Sequence, residues 1–117
     1  MGQMNANASS DRAVGRLTGT FAAAGQSPGI EVAGVANLAL WGNLTATSLV
    51  IKLQKSYDFG TTWIDVARDT SGTLLQFTTV TASGVSVRFE ESEPGVQYRL
   101  DCSGSTFAGT ANYRISY

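Results

Sequence analysis

The chain has 117 residues, 43% of them hydrophobic and 15% charged, with 8 Lys+Arg against 9 Asp+Glu for a net charge of −1. This length and composition suit one folded domain with a single core rather than a disordered tail, and without a basic surplus nothing drives counterion release on nucleic acid. Histidine is absent and Cys102 stands alone, which excludes a Ser-His-Asp arrangement, an intrachain disulfide and a cysteine metal cluster.

Residues 1–15, MGQMNANASSDRAVG, are small and polar with no periodicity. They are expected to form an extended N-terminal arm, leaving 16–117 as the folded domain. The segment has no apolar run of signal-peptide length, and no stretch of the chain approaches a membrane span. The expectation is a soluble product of a cytoplasm with no membrane partner and no cofactor.

From Leu17 onward, short runs rich in Thr, Val, Leu and aromatics are punctuated by Gly, Ser, Asn and Asp every eight to twelve residues or so, the spacing of a sandwich or barrel. Strands are predicted over about 16–23, 35–42, 47–57, 62–68, 73–80, 85–92, 96–103 and 110–117. In the third, Leu49, Ile51 and Leu53 alternate with Val50, Lys52, Gln54 and Ser56. In the sixth, Val85, Val87 and Phe89 oppose Ser86, Arg88 and Glu90. The seventh sets Val96, Tyr98, Leu100 and Cys102 against Gln97, Arg99, Asp101 and Ser103, and the last sets Ala111, Tyr113, Ile115 and Tyr117 against Asn112, Arg114 and Ser116. A period of two with one dry face indicates antiparallel sheets packed face to face. No window carries a helical stripe. The fold class is therefore all-β: an antiparallel β-sandwich of about eight strands, jelly-roll or immunoglobulin-like. Pro28-Gly29 and Pro94-Gly95 are both predicted as type II turns.

Between the third and fourth strands lies SYDFGTTW, residues 56–63. Its Ser-x-Asp-x-Gly-x-Thr-Trp pattern resembles the Asp-box of sialidases and other β-propeller glycosidases. In that family the motif is a hairpin turn away from the active site, and only this role carries over. The resemblance implies that Ser56, Asp58, Gly60, Thr62 and Trp63 form a structural turn. Asp58 would accept backbone N–H groups, Gly60 would take positive φ and Trp63 would plug the underside. One box in a chain this short cannot make a propeller, and the eight cations lie scattered on strand faces with no arginine cluster to be picked out. Glu90, Glu91 and Glu93 are close enough in sequence to suggest an acid/base pair, but they run into the Pro94 turn and read as a solvated loop. No catalytic, metal or cofactor residues are assigned, and the protein is expected to be non-enzymatic.

Cys102 falls in phase with Tyr98 and Leu100, as a small buried hydrophobe does. Tyr98, after a Pro-Gly turn, is faintly similar to a tyrosine corner, but it lies four residues before Cys102 where that motif has two. Trp41 alternates out of phase with Leu38 and Leu40, while Tyr57 and Phe59 flank the turn tip. These three are the candidate binding surface; if they cluster on an open groove they favour a sugar platform, and otherwise core or subunit packing.

The segments Leu53 to Trp63, Glu93 to Cys102 (EPGVQYRLDC) and Gly109 to Ile115 (GTANYRI) together resemble small β-sandwich structural proteins of tailed bacteriophages. The likeness covers the last 65 or so residues and implies a virion component. The first expectation is a capsid decoration, or cement, protein that binds the major capsid protein or other virion subunits as a trimer or dimer. The alternative is a receptor- or carbohydrate-binding module of a head fibre, tail fibre or spike. On the first expectation an ordered arm adds contact area. Removing residues 1–15 should then weaken attachment to particles and leave the fold intact, with occupancy on purified particles as the measurement. Unchanged occupancy refutes a docking role for the arm.

Overall fold

A computed structural model describes residues 15–44, 49–68 and 71–117. Within them the chain is all-β. The strands are β1 (Arg16–Phe21), β2 (Ile30–Glu31), β3 (Gly34–Leu44), β4 (Ile51–Ser56), β5 (Ile64–Asp65), β6 (Gln76–Phe77), β7 (Val85–Glu91), β8 (Gln97–Asp101) and β9 (Gly109–Ser116). They form two antiparallel sheets. Sheet A has the order β1-β9-β3-β7; sheet B has the order β2-β8-β4-β5, with β6 also on β4.

This order decides between the two expected windings. The pairs β4·β5, β3·β7, β2·β8 and β1·β9 are nested one outside the next. The chain is thus one long hairpin, with its apex between β4 and β5, wound around so that β9 also meets β3 and β8 also meets β4. That is jelly-roll topology; an immunoglobulin sandwich groups its strands differently.

Alternation places the core between the sheets. Ala36, Leu38 and Leu40 of β3, with Ala111, Tyr113 and Ile115 of β9, face Ile51 and Leu53 of β4 and Tyr98 and Leu100 of β8, all buried. Phe21 and Tyr113 rings pack at 4.8 Å, as do Phe89 and Tyr98. Cys102 joins this core with no exposed surface, and burial raises its thiol pKa.

Several expectations are corrected. β2 adds a ninth strand; its two residues are too few to show a period. The predicted strands 62–68 and 73–80 shrink to β5 and β6. Between them the chain pairs with itself, Ala67 facing Leu74 and Arg68 N–H donating to Thr73 O at 2.7 Å. Leu53 remains tied to both sides, since its carbonyl accepts from Val66 and its N–H donates to Leu75. Pro94-Gly95 makes a turn with Gly95 at φ 83°. Gly29 has no positive φ, so Pro28-Gly29 is not a type II turn. Here the chain runs on past Ser27, whose Oγ accepts Leu100 N–H at 2.8 Å and donates to Pro28 O. Of the expected arm, residues 1–14 lie outside the described residues. Gly15 exchanges backbone hydrogen bonds with Tyr117.

Leu53 is fully buried between the sheets at this junction. Leu53→Ala should cost about 2–5 kcal/mol in urea unfolding. Ile64→Ala, at a side chain 45% exposed, should stay within about 1 kcal/mol.

Candidate functional site

The Ser56–Trp63 turn is built from its own side chains. Ser56 Oγ donates to Asp58 Oδ1 at 2.7 Å and accepts from Gly60 N–H at 2.9 Å. Asp58 Oδ1 also accepts Thr62 N–H at 2.8 Å. Trp63 Nε1 donates to Gly60 O at 3.0 Å, which lays the indole beneath the loop, and the Arg99 guanidinium covers that ring at 4.4 Å. Gly60 sits at φ 90°, and Phe59 before it also has positive φ, at 59°. An aromatic residue is strained there, by roughly 1 kcal/mol or more. Its ring stands free, 80% exposed, with Tyr57 and Ile64 also exposed beside the turn. The Ser, Asp, Gly, Thr and Trp of the motif therefore come together in a closed structural loop.

Trp41 does not join Tyr57 and Phe59. Gly34 pairs with Glu91 at one end of the β3·β7 ladder and Leu40 with Val85 at the other. Glu91 is tied to Tyr98, next to Gln97, which faces Ser56. The turn thus lies at the Gly34 end. Trp41 is seven residues further along β3, roughly 23 Å away, on the outer face of sheet A. The three aromatics form no common groove.

The glutamates also part company. Glu90 and Glu91 point to opposite faces of β7. Glu91 is buried, not solvated. Its carboxylate accepts Tyr98 Oη at 2.8 Å and Glu93 N–H at 3.0 Å, with Lys55 Nζ at 3.8 Å. Burial first, and the Glu91 carboxylate second, push the Tyr98 phenol well above its ordinary range. The Tyr98 hydroxyl goes to a side chain, not to upstream backbone as in a tyrosine corner. Lys55 and Tyr98 of this group line a slot of about 350 Å³ between β7 and residues 66–68 and 75, also lined by Arg68 and Phe89.

The two outer faces differ most. On sheet B, Asp65 binds Lys52 at 3.3 Å and Gln54 at 2.9 Å, and Gln54 accepts from Arg99 at 2.9 Å. Asp101 accepts from Gln26 at 3.0 Å. Much of that face is thus paired within itself, though the exposed Glu31, opposite Gln97, has no ion-pair partner among the described residues. On sheet A, the cross-strand register makes three rows: Arg16, Ser116, Asn37 and Arg88; Thr18, Arg114, Ala39 and Ser86; then Thr20, Asn112 and Trp41. Thr20 Oγ1 donates to Asn112 Oδ1 at 2.8 Å. Among the described residues, Arg16, Arg88 and Arg114 make no ion pair. Three arginines scattered in the sequence thus gather on one sheet face, with Glu90 its one acidic residue among those described. Alternation had already placed Arg88 and Arg114 outward; strand order, which alternation does not carry, brings them together. Among the described residues no three His, Cys, Asp or Glu side chains group to hold a metal.

No protein-family model matches this chain, and no curated protein matches it.

The loop hydrogen bonds, from Thr62 N–H first and Ser56 next, hold the Asp58 carboxyl down at about 2, against 3.8 when free. A lowered folded pKa means stability that is present above 3.8 and lost as pH falls through 2. In urea titrations from pH 5 to pH 2, wild type should lose stability more steeply than Asp58→Asn, and the two curves should converge at the acid end. Parallel curves would remove Asp58 as the titrating group.

Proposed function

We propose that this chain is a non-enzymatic structural component of a tailed-phage virion, in the first reading a capsid decoration protein, made in the host cytoplasm. One observation carries the adhesive part of this reading: sheet B pairs its outer cations Lys52 and Arg99 within its own face, whereas sheet A presents three arginines with no ion pair among the described residues beside exposed Asn37, Thr18 and Trp41. Donors left open on a rigid sheet are groups that a partner surface can complete. The resemblance to phage proteins supplies the particle. Its segments fall on β4 with its turn, on β8 and on β9, the framework of the sandwich, so a shared scaffold is what they support.

Four strands by about seven residues give the sheet A face roughly 500 Å², less than the ~800 Å² per partner of a standard stable interface. Attachment by this face alone would be weak. An arm from residues 1–15, or several copies around a capsid symmetry axis, would supply the remainder through added area or avidity. Decoration then stabilises the shell by linkage, because the bound protein favours the assembled lattice over free subunits.

A second reading, a carbohydrate-binding module of a fibre or spike, draws on one feature: Trp41 borders a shallow concavity on the same face.

Arg16→Gln, Arg88→Gln and Arg114→Gln combined should fold as wild type by circular dichroism, yet lose at least about tenfold in particle occupancy at low salt. Raising the ionic strength should strip wild type to the same level. Occupancy that ignores both changes rules out this face as the docking face.

A further inference from the structure

The chemistry around Trp41 is more specific than a cationic patch. Its indole is 39% exposed on the outer face of sheet A. Beside it opens a concavity of about 580 Å³ lined by Ala39, Ala82, Ser83, Gly84 and Ser86. The 81–84 loop forms its wall. Gly42 N–H donates to Thr81 O at 3.0 Å, and Gly84, at φ 76°, lies so close to β3 that a Cβ there would stand 2.8 Å from the Trp41 Cβ. Leu40 and Val85 complete the lining, and apart from them and Trp41 the side chains there are no larger than a methyl or hydroxymethyl group.

Polar groups flank Trp41 on its other side, along β9, outside the concavity itself. Asn112 lies directly opposite Trp41. Its Oδ1 is occupied by Thr20, and among the described residues its amide N–H groups have no acceptor. Arg114, paired with Ala39, is a diagonal neighbour of Trp41, with about 7–8 Å between the backbones and no anion of its own among the described residues. Ser86 closes the row on the far side of Ala39. A flat aromatic ring takes the apolar C–H face of a pyranose, neighbouring amides and hydroxyls take its ring hydroxyls, and a guanidinium takes a carboxylate bidentately.

We infer that Trp41, Asn112, Arg114 and Ser86 form a subsite for an acidic saccharide, a sugar ring bearing a carboxylate. The inference rests on the reading of the sheet A outer face as adhesive, and it names a ligand class for one end of that face. Asn37, Arg88 and Arg16 continue from the subsite along the face, a path for further residues of a chain. Tyr57 and Phe59, at the other end of the molecule, take no part.

Electrophoresis of the full chain through native gels tests this, with polygalacturonate, neutral dextran or poly-glutamate cast in the matrix. Retardation by polygalacturonate alone is expected. Trp41→Ala should weaken it by roughly tenfold or more, as truncation of a central aromatic contact does. Trp41→Phe should recover part of it, and Arg114→Gln should weaken it and flatten its salt dependence. Folding of each variant is checked by thermal melting, and Arg114→Gln keeps the test open should Trp41→Ala not fold. Equal retardation by poly-glutamate overturns the inference in favour of an acidic protein partner. Retardation by dextran overturns the role of charge, and no retardation, or retardation indifferent to Trp41 and Arg114, overturns the subsite. Particle occupancy separates the two readings. Arginine-dependent occupancy without saccharide binding removes the subsite and keeps the docking face; saccharide binding with arginine-independent occupancy does the reverse.

Discussion

Everything in this fold is wound outward from the reversal between β4 and β5, and Ser56 and Asp58 hold that reversal. Lys55 meets Ile64 across a short loop, whereas Arg16 must find Ser116 at the far end of the chain. Closing a loop costs entropy that grows with its length, and long-range strand pairing is slow for that reason. A loop that satisfies its own N–H groups from one serine and one carboxylate can form early. It then sets the register of the nested pairs that follow, since a slip by one residue turns every inward side chain out. The Trp63 indole and the Arg99 guanidinium above it fasten the loop to β8, so the local reversal and the central strand of sheet B are fixed together.

From that constraint follows the division of polar chemistry. Sheet B carries the loop and its surroundings, and its outer side chains close a network from Lys52 to Arg99. Glu91 is drawn inward, where the phenol of Tyr98, a backbone N–H and the ammonium of Lys55 share its two oxygens. A buried carboxylate left without such partners would be costly. Among the described residues no loop folds over the outer face of sheet A to occupy its arginines. The asymmetry comes from winding, since the same alternation operates in both sheets.

Much of this was legible in the chain. The alternation of Leu49 to Leu53, of Val96 to Cys102 and of Ala111 to Tyr117 marks strands whose dry faces meet in the core. SYDFGTTW contains its turn almost entirely, because each bond in it joins residues a few positions apart. What alternation does not carry is adjacency. Arg16, Arg88 and Arg114 share one face only because β1, β9, β3 and β7 lie side by side, and Trp41 parts from Tyr57 only because β3 runs the length of the sandwich. Glu91 was hidden for a similar reason: its partner Tyr98 belongs to the opposite sheet. At Pro28-Gly29 the dipeptide alone suggested a turn, but the hydrogen bond from Leu100 to Ser27 keeps the backbone going straight. Pieces as short as Ile30–Glu31 are strands by virtue of what they pair with, not of any pattern they contain.

Cys102 gives the fold an internal clock. Its sulfur lies wholly inside the sandwich, 3.9 Å from the carbonyl of Ala23, with its ionisation suppressed by burial. A thiol in that state neither cross-links nor attacks an alkylating reagent while the sheets stay closed. Each moment of modification therefore records an opening between β8 and the 21–25 segment. Its thiol is shielded from air and oxidants while the sheets stay closed, and one atom near the centre keeps count of how often the fold breathes.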